Sequence, residues 1–404
     1  MKSALAAIGF FLFLFPFVPT QGQTLALQVG KVYPSPDAKP LTDAAVLVRD
    51  GRIVAVGRDG AVPGNARVLR CAQCSVFAGF WNTHVHFMEP RWEGVDKLSA
   101  DRLSGQLREM LTRSGFTTVV DTGSDPYNTA ALRRRIESGE IPGPKIYTAG
   151  LPLYPHGALP FYLHDLPPPL LATLPQPGTP ADATDAIEKN IAAGTDIVKL
   201  FTGSIVAPGQ VVPMPVDIAQ AAVATAHARR QIVFTHATNL AGVQVALSAG
   251  VDVIAHAPEV TDGVSDELLK TLVRHHVAIV PTLKLFSKDA NIGAIRATVK
   301  RFHDLGGTLM YGTDTGFLTD HDQREEYEQL KLCGFALSDV VAMLTTAPAE
   351  RFGVARDEGR IKAGMEGDLT VLADDPAAAG LPALADVKYT IRHGRVIYDA
   401  SAVP

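Results

Sequence analysis

Along the middle of the chain, short apolar, β-branched runs alternate with segments whose apolar positions repeat at helical spacing. Eight of the runs read as strands: 79–87, 117–122, 145–149, 196–201, 231–237, 251–257, 277–283 and 308–314. Near-continuous apolar runs of this length mark strands buried on both faces, as in a parallel sheet. Between them, 101–114, 128–138, 181–193, 216–229, Leu240–Ala249 and 266–275 read as helices. In one of these, Leu240, Val243, Ala246 and Leu247 are apolar at helical spacing, and Gly250 supplies the stop. This alternation predicts an α/β fold, a (β/α)8 TIM-like barrel rather than an open sheet.

The two ends of the chain follow a different rhythm. Ala45-Val46-Leu47-Val48-Arg49 and Arg52-Ile53-Val54-Ala55-Val56 flank Asp50-Gly51, a two-residue hairpin turn. Tyr389-Thr390-Ile391-Arg392 and Arg395-Val396-Ile397-Tyr398 flank His393-Gly394 in the same way, and Asp368-Leu369-Thr370-Val371-Leu372 adds a strand. Neither end has enough strands to fold alone. The expected organisation is a small β-sandwich domain built from 23–78 and 358–404, around a barrel of 79–357. The Pro-rich stretch 166–180 reads as a long loop bordering a site.

Residues 1–22 stand apart. Lys2 precedes an apolar run from Ala4 to Val18, and Pro19-Thr20-Gln21-Gly22 follows. That is the pattern of a secretory signal peptide, and the run is shorter than the ~20 residues that span a bilayer. It predicts a periplasmic or secreted protein with no membrane span after signal removal. Composition agrees with a globular enzyme: 47% hydrophobic and 20% charged residues in 404. A net charge of −5 leaves no basic footprint for nucleic acid. Cys71-Ala72-Gln73-Cys74 has no second pair to complete a zinc ribbon. It reads as a local disulfide or two partly buried thiols.

Chemistry in a barrel sits at the C-terminal ends of its strands, so polar residues there are the informative ones. His84 and His86 are one residue apart on a strand and point the same way. The later strands end in Thr235-His236-Ala237, Ala255-His256-Ala257 and Gly312-Thr313-Asp314. Lys199 lies within the apolar run 196–201. Taken singly, each has a structural reading. His236 could be a hydrogen-bonded core group, Asp314 a turn former, and Lys199 a lysine snorkelling to solvent. Their coincidence at one pole of five strands points instead to a metal site. Four imidazoles and a carboxylate suit Zn²⁺ and, less selectively, Mn²⁺, Co²⁺, Ni²⁺ or Fe²⁺. If the Lys199 amine adds CO₂, the resulting carbamate can bridge two metals. His156 and Tyr154, just past 145–149, are candidates to reach substrate. The other histidines, including His275 and His276, read as surface or loop groups.

These residues resemble the metal-dependent amidohydrolase superfamily, in its imidazolonepropionase-like and Xaa-Pro dipeptidase-like branch. The likeness rests on Gly115-Phe116-Thr117-Thr118-Val119-Val120-Asp121, Val198-Lys199-Leu200, Thr235-His236-Ala237, Tyr311-Gly312-Thr313-Asp314-Thr315-Gly316 and Ala363-Gly364-Met365-Glu366-Gly367-Asp368-Leu369. The resemblance implies that His84, His86 and Asp314 bind a first divalent metal, and His236 and His256 a second. Zn²⁺ is the expected ion at both positions. Carboxylated Lys199 and a hydroxide would bridge them, with Asp314 as the proton-accepting catalytic residue. The implied activity is hydrolysis of C–N bonds in small-molecule amides, peptides or cyclic amides, by a chain that could form homo-oligomers. The rivals are an ester, lactone or carbamate hydrolase on the same site, and a catalytically silent barrel that only binds. Two departures stand out. Asn82 replaces the Asp expected two residues before His84, and Phe201-Thr202-Gly203-Ser204 replaces the Ser-Gly-Gly of many dipeptidases.

Overall fold

The computed structural model describes residues 24–58 and 62–402, so the signal-peptide reading of 1–22 lies outside the described residues. The chain opens with β1 (Thr24–Val32), β2 (Leu41–Arg49), β3 (Arg52–Gly57) and β4 (Arg67–Ala78). Then come β5 (Phe80–Val85), β6 (Phe116–Asp121), β7 (Lys145–Thr148) and β8 (Ile197–Phe201). The hairpin β9 (Gly203–Ala207) and β10 (Gln210–Pro213) precedes β11 (Ile232–His236), β12 (Val253–Ala255) and β13 (Ala278–Val280). The chain ends with β14 (Leu369–Leu372), β15 (Val387–Arg392) and β16 (Arg395–Asp399).

Both ends meet in one seven-stranded sheet, ordered β16-β15-β14-β4-β1-β2-β3. The hydrogen bonds join all seven strands in a single sheet, not in the two facing sheets that a sandwich implies. Its two hairpins turn as the sequence requires. Asp50 and Gly51 have φ of 51° and 77°, and His393 and Gly394 have 48° and 69°. Positive φ at both central positions matches the right-handed twist of the flanking strands. Leu27, Val46, Val48, Val76, Leu369 and Ile391 form the centre of its core. Where β1 passes β4, the ladder shifts register between Val29 and Lys31. The extra β4 residues there are closed by a Cys71–Cys74 disulfide.

The middle of the chain holds parallel strands in two runs, β5-β6-β7 and β13-β12-β11-β8. A bridge between Leu153 and Leu200 joins the runs on one side. On the other, Leu309 bridges Ile279 and Thr315 bridges Val85. The run expected as an eighth strand, 308–314, therefore makes single bridges and no ladder. Val120, Ile197, Phe234, Val253, Val280 and Met310 pack together between these strands. The expected helices form with ends shifted by at most four residues. Unexpected helices also occur at Ile292–Asp304, Arg324–Leu332 and Leu337–Leu344. None of the described helices is long and apolar enough to cross a membrane.

The terminal sheet is fastened to the parallel strands at the end remote from the candidate ligands. Thr370 and Thr390 donate hydroxyl hydrogens to the carbonyls of Gly115 and Thr112, at 2.7 and 2.6 Å. Gly115 has φ of 86°, and a Cβ there would come within 2.5 Å of the Thr370 methyl. Only glycine allows that approach.

Candidate active site

Strand periodicity aims the chemistry inward. On β8, Ile197 joins the apolar packing between strands, so Lys199 and Phe201, two and four residues on, share its face. Val198 and Leu200 face outward into a separate cluster with the helices Pro180–Ala192 and Val216–Ala228. On β11 the same rule sets His236 in line with Phe234. His84 and His86 share a face of β5 and its extension, with ring centroids 5.2 Å apart. His256 and Asp314 are turned toward them by left-handed backbone, with φ of 77° and 57°. Such conformations in non-glycine residues cost on the order of 1–3 kcal/mol and gather at functional sites.

Five of the candidates make short contacts with one another. His86 Nε2 lies 3.0 Å and His84 Nε2 3.2 Å from Asp314 Oδ1. The His84 and His256 rings are 4.3 Å apart between centroids, and His236 and His256 4.8 Å. Ligand atoms of His84, His256 and Asp314 all fall within 4.8 Å of each other, a group able to hold a metal ion. Lys199 is 2% exposed, with Nζ 5.5 Å from the centre of the Phe201 ring. The closest grouping thus unites His84 and Asp314 with His256, which the resemblance assigns to the second metal.

Hydrogen bonds to the far side of two rings fix their tautomers. Thr282 gives its hydroxyl hydrogen to the Pro281 carbonyl and so accepts from His256 Nδ1, at 2.7 Å. His86 Nδ1 donates to the Gly123 carbonyl at 2.7 Å. In both neutral rings the Nε2 lone pair then faces the site. His86 Nε2 and Asp314 Oδ1 are both electron-rich at 3.0 Å, a contact that calls for a proton or a cation. Both ring nitrogens of His84 and Oδ1 of Asp314 are buried without a hydrogen-bond partner of acceptable geometry. Buried polar atoms without partners are rare. This donor set fits a divalent metal.

The electrostatics agree with that fit. Burial, then the Lys199 charge, presses His84 down to about 3, and the same two causes press His236 to about 3. His256 is lowered well below the usual range by burial and by His84. Burial opposes protonation of His86 too, but its bond to Asp314 and that carboxylate's charge outweigh it and raise the pKa. Burial would raise Asp314, yet His84 and His86 hold it well below the usual carboxylate range. Burial lowers Lys199 to about 7, against the pull of Asp314. His84, His236 and His256, held neutral, and Asp314, held anionic, are thus in their metal-binding forms.

The remaining predicted residues divide. Tyr154 is buried, packs its ring at a tilt against Phe201 with centroids 4.5 Å apart, and lines the cavity over the candidate ligands. His156 does not: its exposed ring turns away and bonds the Gln176 carbonyl at 3.0 Å. The chain reverses between these two residues, and adjacency in sequence did not carry them to one surface. Asn82 makes no hydrogen bond to a histidine ring among the described residues. It accepts from the His84 backbone N–H and donates to Thr313, tying the first strand to the loop of Asp314. His321, read from sequence as a surface or loop group, lies in a loop but is buried against Glu89 and Arg91.

The loop 166–180, expected to border a site, does so, but the individual wall residues were not read from the sequence. The cavity is about 750 Å³ and takes Leu166, Leu170 and Leu174 from that Pro-rich segment and Phe161 and Tyr162 from just before it. Phe201 joins them from β8, and Phe286 and Phe317 from other loops. The high aromatic and leucine content of 151–174 was the available signal. The loop of Asp314 is held by Gly316, whose φ is 100° and where a Cβ would meet the His86 carbonyl at 1.9 Å.

Comparison with known proteins places these features in context. The model of the Amidohydrolase family matches residues 75–397. A candidate prolidase from Bifidobacterium longum superposes with a TM-score of 0.77 at 25% identity, over 93% of this chain and 95% of that one. An Xaa-Pro dipeptidase with methionine in its active site gives 0.78 at 19% identity, over 94% and 100%. The ochratoxinase of A. niger gives 0.76 at 18% identity, over 95% and 98%. No protein of curated function matches the chain by sequence. The family match spans most of the chain, and the neighbours include the dipeptidase-like branch expected from the motifs. The chain belongs to the Amidohydrolase family and is an enzyme, a hydrolase acting on carbon–nitrogen bonds.

Proposed function

We propose that the chain is a metal-dependent hydrolase of amide bonds in small molecules, working in a closed (β/α)8 barrel of residues 79–357. The single observation that carries this reading is the cluster of inward-facing donors at one pole of the strands: His84 and His86 from β5 and its extension, His256 after β12 and Asp314 at the end of 308–314, with atoms of His84 and Asp314 buried and orphaned. The bridges from Leu153 to Leu200 and from Leu309 to Ile279 support closure of the strands into one barrel. The segments 23–78 and 358–404 form its companion β unit, and the shared seven-stranded sheet supports that division.

His84, His86 and Asp314 would hold one divalent ion, and His236 and His256 another, with Lys199 between them. Zn²⁺ suits this set best. Burial keeps the Lys199 ammonium near pKa 7, so the neutral amine that adds CO₂ is available near neutral pH. When bound, the metal supplies Lewis acidity, polarising a carbonyl and lowering the pKa of a coordinated water. The protein does the rest. Thr282 and the Gly123 carbonyl keep the His256 and His86 rings turned inward. Asp314, ionised and buried, takes the proton of the attacking water and passes it to the leaving nitrogen. The apolar walls exclude bulk water and hold the acyl and amine groups.

Elemental analysis after zinc loading, with a hydrolysis screen over dipeptides, N-acyl amino acids, cyclic amides and lactones, tests the reading. About two metals per chain and turnover of amides are expected. A protein that takes up no metal and cleaves none of these would end it. We also propose export by a signal peptide spanning 1–22. The Cys71–Cys74 disulfide supports an oxidising compartment. N-terminal sequencing of native protein should begin near residue 22, and an intact Met1 would refute export.

A further inference from the structure

The walls of the cavity carry a charge pattern that narrows the substrate. Its apolar surface is broad: Phe87, Trp92, Tyr154, Tyr162, Phe201 and Phe286 ring the interior. At the mouth, Met88, Phe161, Leu170 and Phe317 line the same cavity while 38–45% exposed. Among the described residues no arginine lines the cavity, and the one lysine is Lys199 among the candidate ligands. The charged side chains elsewhere on the wall are all acidic: Glu89, Glu93, Asp125, Glu259 and Asp289. Glu89 is neutralised by Arg91 at 3.0 Å. Glu259 and Asp289 have no basic partner among the described residues, and burial, then the neighbouring Asp289 charge, raises the Glu259 pKa.

A free carboxylate is the obligatory feature of a dipeptide's C-terminal residue. Brought into this cavity, it would lose water, meet no cation beyond the metal site, and sit among unpaired carboxylates. Desolvating a charge without pairing it is strongly unfavourable, and like charges side by side add to the cost. The Tyr154 and Tyr162 hydroxyls can each donate one hydrogen bond but cannot neutralise an anion. A neutral or cationic substrate meets none of these penalties and gains from the apolar wall.

We propose that the physiological substrate is a bulky apolar amide without a free carboxylate, neutral or carrying a basic group toward Glu259 and Asp289, and not a free dipeptide. This rests on the hydrolase reading above and deepens it. The dipeptide phenylalanyl-proline and its capped counterpart phenylalanyl-prolinamide share one scissile bond and differ only in the carboxylate. On the zinc-loaded full chain, kcat/KM for release of phenylalanine should favour the capped compound by at least about tenfold, and calorimetric Kd should favour it similarly. Glu259→Lys should narrow both gaps at least about threefold, by placing a cation where the wall has none. A free dipeptide bound and cleaved as well as the capped one, or better, overturns the proposal and leaves the hydrolase reading intact. Failure of the hydrolase reading shows separately, as absent metal uptake and no turnover in the screen. The selectivity is then judged by Kd alone, and equal or reversed affinities overturn it.

Discussion

The terminal sheet and the inner ends of the parallel strands are built on opposite economies. In the sheet, left-handed residues such as Asp50 and His393 sit in exposed hairpin turns, where the conformation is part of a favourable turn type. The core below them is apolar, from Leu27 to Ile391. At the strand ends the left-handed residues His256, Thr282 and Asp314 are buried. Polar atoms of His84 and Asp314 lack hydrogen-bond partners there as well. One region converts burial into stability, while the other holds backbone strain and unpaired polarity, the latter of which a bound cation would relieve. Mutations in the two should therefore separate stability from chemistry.

The sharpest break is expected at Asp314. Asp314→Asn keeps the size and one ligating oxygen but cannot take up a proton near neutral pH. kcat of the metal-loaded enzyme should fall by about 10²–10⁴-fold, with KM little changed and the melting temperature equal or higher. Retention of more than about a tenth of kcat would assign the proton to another group.

The opposite signature belongs to Leu27, fully buried in the terminal sheet. Leu27→Ala should lower unfolding free energy by about 2–5 kcal/mol in urea titration, while kcat per folded molecule stays within a factor of two or so. A comparable loss of kcat would mean that the sheet shapes the site directly.

Thr282 refines the contrast, because it belongs to the site without touching metal. Thr282→Val removes the acceptor of the His256 Nδ1–H. Zinc affinity, measured against a chelator, should weaken about 10–100-fold with the fold retained. Unchanged affinity would show that the His256 tautomer is fixed elsewhere.

The smallest effect is expected at the β4 bulge. Replacing both Cys71 and Cys74 by serine opens a short loop, worth roughly 2 kcal/mol or less of stability. kcat should not move. A measured cost beyond about 4 kcal/mol would mark the bulge as a site of packing rather than of a local staple.

Much of the molecule was legible in the chain. Apolar runs identified seven parallel strands within a few residues, because burial on both faces demands continuous hydrophobicity. The eighth run, 308–314, carries the same pattern but pairs only through bridges, and its last residue, Asp314, takes left-handed backbone. The hairpins at Asp50-Gly51 and His393-Gly394 were equally local facts. So were the inward faces of His84, His86 and Lys199, which follow from a period of two along a strand. Helices such as Arg324–Leu332 escaped notice because many of their buried positions are polar, including Glu326 and Gln329.

What the sequence determined by itself was this set of local periods, and with it which donors lie at strand ends. Tertiary structure alone decided which donors meet. It set His256 beside His84, turned His156 out to Gln176, and closed a leucine-rich segment over the cavity. The reason is physical. A strand's period fixes where its own side chains point, but distances between strands depend on packing of groups far apart in sequence. That, among the described residues, the cavity wall beyond Lys199 carries no basic side chain is likewise a property of a surface assembled from several loops and strand ends, and no single stretch of chain encodes it.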